Sequence, residues 1–538
     1  MKLSIVLTTA LAGCLSPVLA ATEQVVLNGE AEARLQPINV AIIGAGAAGS
    51  SSAYHLAKFA ASAGLLVNVT VFERNGYIGG RSTTVNVYNR SEYAVELGAS
   101  IFVTVNKVLV DAVNEFNLST GSMIASLEHI PGAALAVWDG KDFAFVQDRE
   151  STTWWDTARM LWKYGLAPVR TVNLMKSTVG KFLKMYDEAY FPWSSLSRVA
   201  DNLDLMSATS VSGEQYLATN GITGAFGHDV IQASTRVNYA QNLRHINGLV
   251  SMVCMATDGA MSVEGGNWQI FDQMIKAAKA TTMLETNVTG LKKRQDGLYE
   301  LTYAPAHDYS EATFPTASFD AVILAAPHQF ASLQITQNSS MRQPDPIRYV
   351  QLHVTLFTSP HLLSPAYFNM AAGQAAPKVI LTTLQPNEQP LEGPAGAGHV
   401  GFFSISLLSP VFNPQTGTPE YLYKIFSPSA LTSEFMAGIL GLDVTKHVRD
   451  SDVTWMHRKI WDSYPYEVPR ASFEDIQLDD GVWYTGGMEA FISTMETNAL
   501  MGMNVAKLVI DQWTGKVLHR TGDGSMEEPD MWSHTAAL

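Results

Sequence analysis

Cysteine is almost absent: the 538 residues include two, Cys14 and Cys254. Cys14 falls in a leader, since Met1-Lys2, the apolar run from Leu3 to Leu19 and the small-residue end Val18-Leu19-Ala20 read as a secretory signal cut after Ala20. One thiol then remains, which excludes an intrachain disulfide and a redox-active cysteine pair. A chain of this size can be stable without such a staple. Cys254 lies in the apolar run Leu249 to Met255 and reads as an inert buried thiol. There is no closely spaced Cys/His cluster, no HExxH and no Walker loop, so neither a metal site nor a nucleoside triphosphatase has a foothold. Charge is scarce as well, at 16% against 47% hydrophobic residues, and the net charge is −15. That acidic surplus argues against nucleic acid and anionic membrane surfaces as partners. No run after the leader is long and apolar enough to span a bilayer, and no internal repeat or low-complexity segment stands out. The length exceeds one ordinary core, so two domains or two interleaved lobes are expected.

What is present is concentrated between Val40 and Glu73. Val40-Ala41-Ile42-Ile43 is a short uninterrupted apolar run, as expected of a parallel strand covered on both faces, and Gly44-Ala45-Gly46-Ala47-Ala48-Gly49 follows at once. In this GxGxxG, Gly44 permits the tight turn, Gly46 lets a pyrophosphate approach the backbone, and Gly49 lets the next helix pack on the strand; Ala47 opens that helix. The helix ends near Gly64, and Leu66 to Phe72 supplies a second strand ending in Glu73. An acid there can accept both hydroxyls of an adenosine ribose and would repel a 2′-phosphate, so the spacing predicts FAD or NAD rather than NADP.

Beyond Glu73, Arg74-Asn75-Gly76-Tyr77-Ile78 leads to Gly79-Gly80-Arg81-Ser82 and then to Val95-Glu96-Leu97-Gly98-Ala99. This E-x5-GGR-S run followed by ELGA resembles the FAD-binding start of flavoprotein oxidases related to the amine oxidases. The resemblance implies that Arg74, Gly80, Gly98 and Ala99 lie along FAD, with Arg81 near its phosphates. Further on, Met160 to Pro168, Lys176 to Leu183, Arg236-Val237-Asn238-Tyr239-Ala240-Gln241 and Val263-Glu264-Gly265-Gly266-Asn267 are similar to segments of the prenylcysteine oxidases, also called prenylcysteine lyases. Ala240 stands where that family usually has glycine, and Trp268 follows the GGN; both departures are expected to reshape the pocket. By the same resemblance Val288 contacts the adenine through its backbone. Val482-Trp483-Tyr484-Thr485-Gly486-Gly487 and the helix opened by Ser493-Thr494-Met495-Glu496 form the last FAD element, with Gly487, Met495 and Glu496 at the flavin. Arg236, Asn238, Tyr239 and Gln241 are candidates to hold the amine or carboxylate of a cysteine, with Arg236 the natural carboxylate partner. For Arg236 a structural ion pair is an equal alternative. No catalytic acid or base can be named.

The fold class implied is α/β: a Rossmann-like FAD-binding domain with an interleaved substrate domain of antiparallel sheet plus helices. The expected division is a signal peptide over 1–20, FAD-binding parts over 38–117, 250–345 and 465–515, substrate-domain parts over 118–249 and 346–464, and a polar tail over 516–538. The family's chemistry implies oxidation of farnesyl- or geranylgeranyl-cysteine with water and dioxygen to a prenyl aldehyde, free cysteine and hydrogen peroxide. Two alternatives remain: a flavin oxidase of an amine or another apolar prenyl compound, and a lipid-binding flavoprotein without turnover. The leader points to the secretory pathway, either lysosome/vacuole or the extracellular space. Leu11-Ala12-Gly13-Cys14 also fits a bacterial lipoprotein box, which the resemblance to a eukaryotic family ranks second. Sequons stand at Asn68, Asn89, Asn117, Asn287 and Asn338. Of these, Asn68 and Asn287 fall in expected strands, and Asn117 and Asn338 in expected loops.

Overall fold

The computed structural model describes residues 37–515 except 122–126, 149–159, 308–313, 332 and 336–340. The leader, Cys14, the sequon at Asn338 and the polar tail lie outside the described residues. The first strand, β1 (Ile38–Ile43), runs into a glycine turn and helix α1 (Ala47–Ala63), which ends on Gly64 in the left-handed conformation and returns to β2 (Val67–Phe72). Residues 321–324 form β3, Tyr349–Ser359 form β4, and Trp455–Pro465 form β5. The chain closes with β6 (Val482–Tyr484) and the long helix α2 (Met495–Trp513).

A six-stranded sheet takes the order Gln477–Asp479, β6, β3, β1, β2, Thr281–Met283. Every pairing from β6 across to Thr281–Met283 is parallel. Val40 and Ile42 feed one apolar cluster while Ala41 and Ile43 feed another on the opposite face. Both faces are therefore covered, which is why β1 reads as a continuous apolar run rather than an alternation. One cover is the pair α1 and α2, which pack very closely. A Cβ at Gly502 would collide with the Ala48 carbonyl, and Ser52 donates to the Gly502 carbonyl at 3.3 Å.

A second, seven-stranded sheet has the order β5, β4, Pro419–Ser427, Ser404–Phe412, Val379–Thr382, Leu135–Trp138, Phe143–Gln147. It is antiparallel except where Val379–Thr382 meets Leu135–Trp138. The edge strand β5 carries the chain back toward the first sheet.

The apolar pattern from Met283 to Leu291 predicts a single strand, but the structure has two, Thr281–Met283 in the parallel sheet and Thr286–Lys293 in a separate four-stranded sheet. The turn between them holds Glu285 at φ 51°, with no glycine to announce it. The runs Met160, Leu161, Tyr164 and Met175, Val179, Phe182 predict two helices parted at Pro168, and the structure agrees: residues 160–164 are helical, Gly165 and Leu166 turn, and Pro168 opens the next helix. It sits in the first turn of the helix Ala167–Leu183, where its missing N–H leaves no bond unmade.

Candidate active site

The carboxyl ends of β1, β2, β3 and β6 open onto a cleft of about 400 Å³, walled on its far side by β5. Each glycine of the first turn has a different neighbour. Gly44 has φ 108°, and a Cβ there would lie 2.9 Å from the Ala325 carbonyl oxygen. At Gly49 a Cβ would overlap the Gly44 carbonyl, so only glycine lets α1 start this close to the strand. Gly46 faces open space, with nothing within 4 Å of an added Cβ. No side chain caps α1. A helix start with free N–H groups and room before it is built to receive an anion.

The neighbouring parts converge on this turn. Gly79 donates its N–H to the Ala45 carbonyl at 2.9 Å, which fastens the second glycine pair to the first. The buried Glu73 accepts from Ala45 N at 2.9 Å and from Asn75 N at 2.8 Å. A carboxylate has about four lone-pair sites, so it can still take a ribose hydroxyl. Gly44, Gly46, Ala47, Glu73, Arg74, Gly80, Arg81, Gly98, Ala99, Val288 and Met495 all line the cleft. The residues present fit an adenine dinucleotide: open backbone donors for a pyrophosphate, an acid at the second strand end, and a slot continuing past Gly98 to the start of α2.

A sequence model of the family described as prenylcysteine lyase matches residues 147–520, and one described as an NAD(P)-binding Rossmann-like domain matches residues 42–116. The chain belongs to the prenylcysteine lyase family. Similar proteins include a farnesylcysteine lyase of Arabidopsis thaliana, 28% identical with 89% of each chain covered. A prenylcysteine oxidase 1 of Bos taurus is 27% identical, with 90% of this chain and 91% of that one covered. Among solved structures, a cyclohexylamine oxidase from Brevibacterium oxydans superposes with TM-score 0.53 at 14% identity over 89% of this chain and 100% of that one. A fatty acid isomerase from P. acnes gives TM-score 0.55 at 12% identity, covering 88% of this chain and 98% of that one. These two likenesses speak for the fold.

Within this prenylcysteine lyase family member, several residues stand elsewhere than the sequence suggests. Glu496 is not in the cleft: its carboxylate accepts from Val108 N at 2.9 Å, Leu109 N at 3.0 Å and the Tyr186 hydroxyl at 2.7 Å, capping the helix Lys107–Glu115. Adjacent helical residues point about 100° apart, so Met495 and Glu496 cannot both face the cleft. Gly487 packs against Glu474, and Gly486 takes the lining position instead. Gly49 serves packing rather than contact.

The four substrate candidates do not line the cleft either. All five N–H donors of Arg236, which is fully buried, are engaged: Nε by Thr382, one terminal nitrogen by Asn242 and the Gly396 carbonyl, the other by Thr382 and the Ala397 carbonyl. No donor is left for a substrate carboxylate, and no ion pair replaces it. Asn238 is exposed and bonded to the Ser234 carbonyl. Tyr239 donates to the Ser493 carbonyl at 3.1 Å, and Gln241 bridges the Pro465 carbonyl and the Glu467 N–H. The first of these bonds braces the loop in front of α2, and the other two hold the chain where it leaves β5. Trp268 backs Gly79, and Ala240 ends the helix Gln232–Tyr239, so neither departure from the family pattern touches the cleft.

Asn287 lines the cleft, so a glycan there would fill it, which withdraws that sequon. Asn68, Asn89 and Asn117 are exposed.

The sequence reading missed Glu489. It is 3% exposed, ion-paired with Arg81 at 2.5 Å, and accepts from Tyr349 at 2.8 Å and Ser493 at 2.9 Å. A glutamate seven residues before Glu496 in a glycine-rich loop carries no separate signal. It missed Asn267 as well. That side chain donates to the Ala99 carbonyl at 3.1 Å and accepts from Val263 N at 2.9 Å, locking the loop after Gly98.

Proposed function

We propose that the chain is an FAD-dependent oxidase that cleaves the thioether of farnesyl- or geranylgeranyl-cysteine. The observation that carries this reading is the meeting, in one cleft, of the glycine turn, Glu73, the Gly79-Gly80-Arg81 run, Val288 and the start of α2, in a chain that belongs to the prenylcysteine lyase family. The relatives named for farnesylcysteine and prenylcysteine support the substrate class.

Bound FAD would supply a two-electron acceptor, with dioxygen as the final oxidant. Carbon 1 of a prenyl thioether is allylic and bonded to sulfur, so loss of hydride there is eased by the alkene and the sulfur lone pair. Addition of water gives a hemithioacetal that falls to a prenyl aldehyde and cysteine. The balance is prenylcysteine, water and dioxygen in, and aldehyde, cysteine and hydrogen peroxide out.

The protein's own residues hold and orient. The N–H groups opening α1 take the pyrophosphate, and Glu73 takes the adenosine ribose. The start of α2, capped by Thr494, presents backbone donors and the positive end of its dipole to the ring. Arg81, half-buried at the cleft, is held by the buried Glu489 and would face the bound cofactor. No strong base is required, because orientation in a dry cavity suffices for such a reaction. The leader supports export to the secretory pathway, with lysosome/vacuole or the extracellular space as destination, and a mature chain beginning at Ala21.

Anaerobic mixing of the purified yellow protein with S-farnesylcysteine tests the reading. The flavin absorbance should bleach, and air should restore it with release of peroxide. Binding without bleaching, or a chain that cannot take up FAD, would overturn it.

A further inference from the structure

Three cations line the cleft, and they are not equivalent. Arg81 is ion-paired with Glu489, and Arg74 donates to the Phe330 carbonyl at 2.8 Å. Lys459 has neither kind of partner. Its ammonium lies over the Trp461 ring, 5.6 Å from the centroid, with no hydrogen bond and no ion pair among the described residues.

The same strand offers two more donors. Along β5, Trp461 Nε1 and Ser463 Oγ are both buried without an acceptor, and Ser463 is only 5% exposed. Lys459, Trp461 and Ser463 stand at every second position of β5 and so share one face of the strand, and all three line the cleft. A bulge opposite Val350 and Gln351 leaves Ser463 unmatched in the ladder, and Asp462 and Tyr464 line the cleft beside it. Buried polar groups without partners are rare because each costs stability, and in a cleft they mark where a ligand atom belongs. Two such donors, with the half-buried ammonium of Lys459 on the same short stretch, suit an anion with several oxygen lone pairs.

Resting on the function proposed above, we infer that Lys459, with Trp461 Nε1 and Ser463 Oγ, anchors the α-carboxylate of the prenylcysteine. Asp462, which lines the same stretch without an ion pair, is the acid for the α-ammonium group. The role that the sequence suggested for Arg236 thus belongs to a lysine of β5, which lines the cleft that Arg236 does not reach. Trp461 fixes where this happens: its ring lies 3.0 Å from where a Cβ on Gly98 would stand, so the anchor faces the Gly98–Ala99 loop.

The test compares S-farnesylcysteine with its methyl ester, using the FAD-loaded full chain and the variants Lys459→Met and Lys459→Arg. The unmodified chain should favour the free acid. In Lys459→Met, KM for the acid should rise about ten- to a hundredfold, the worth of one charge-assisted hydrogen bond, while kcat and the ester kinetics stay within about twofold. Lys459→Arg should recover most of the preference. FAD content and flavin midpoint potential should be unchanged in both variants. Equal use of acid and ester by the unmodified chain overturns the assignment. So does a Lys459→Met variant that slows both substrates alike, shifts the potential or loses FAD, since the donors would then serve the flavin. Equilibrium binding of acid and ester, read from the perturbed flavin absorbance, decides the anchor even if neither is oxidised. Failure of oxidation alone counts against the proposed function and not against the anchor.

Discussion

Glu489 and Glu496 stand on either side of the start of α2, and burial gives them different duties. Glu489 faces the cleft in an ion pair with Arg81, while Glu496 turns away to cap another helix. Burial, with the neighbouring Asp111 adding to it, pushes Glu496 up to about 7 despite the three hydrogen bonds it accepts. Glu467 is also raised, by burial first and then by the nearby Glu489. Each holds its proton more tightly folded than unfolded. The contribution of Glu496 is therefore fully present below the unfolded value of 4.5 and is lost as pH rises through about 7, and that of Glu467 is likewise lost as pH rises. The melting temperature should fall between about pH 5 and pH 8, and in Glu496→Gln it should fall less. A parallel decline in both proteins, followed by thermal melts across that range, would refute the role given to Glu496. At this scale the glycines of the first turn and Glu73 were legible, whereas Gly487, Glu489 and the direction of Glu496 were not. A glycine's task is set by backbone geometry, which spacing encodes, whereas the direction of a carboxylate depends on which segment arrives beside it.

Among elements, the helix Gln232–Tyr239 shows what a single departure from a family pattern costs. It ends on Ala240 at φ 54°, the left-handed conformation that glycine adopts freely. Ala240→Gly should raise stability by up to about 1 kcal/mol in denaturant titrations, the strain relieved being partly offset by the greater freedom of glycine in the unfolded chain. The elements of the first βαβ unit were readable from their apolar runs and the glycines between them, as with β1, α1 and β2. The break at Glu285 was not, because the apolar pattern runs through it and the residue at positive φ is not one that advertises a turn. The row of donors on β5 was hidden for another reason: alternation puts Lys459, Trp461 and Ser463 on one face, but nothing in the pattern says that this face meets the cleft.

At the scale of the molecule, the dinucleotide-binding sheet was legible from its first βαβ unit. Its completion by distant segments was expected only from the family resemblance. No composition or periodicity says that residues 321–324 lie between strands drawn from 38–43 and 482–484, yet that is the order found. The −15 charge and the single buried thiol describe the whole chain but position nothing within it. The buried thiol is pushed up by desolvation, so it should resist alkylation in the native protein and react once the chain is unfolded. Mass spectrometry after iodoacetamide treatment with and without denaturant would check this.

The position of β6 has a consequence for biosynthesis. Until the last sixty or so residues have emerged, one flank of β3 has no neighbour, and its bare row of amide and carbonyl groups is open to any passing strand. A premature stop before Val482 would therefore not yield a shorter protein with a working amino-terminal half. It would yield a sticky fragment for chaperones and proteases to clear, and a loss-of-function allele of that kind should look like absence of the protein.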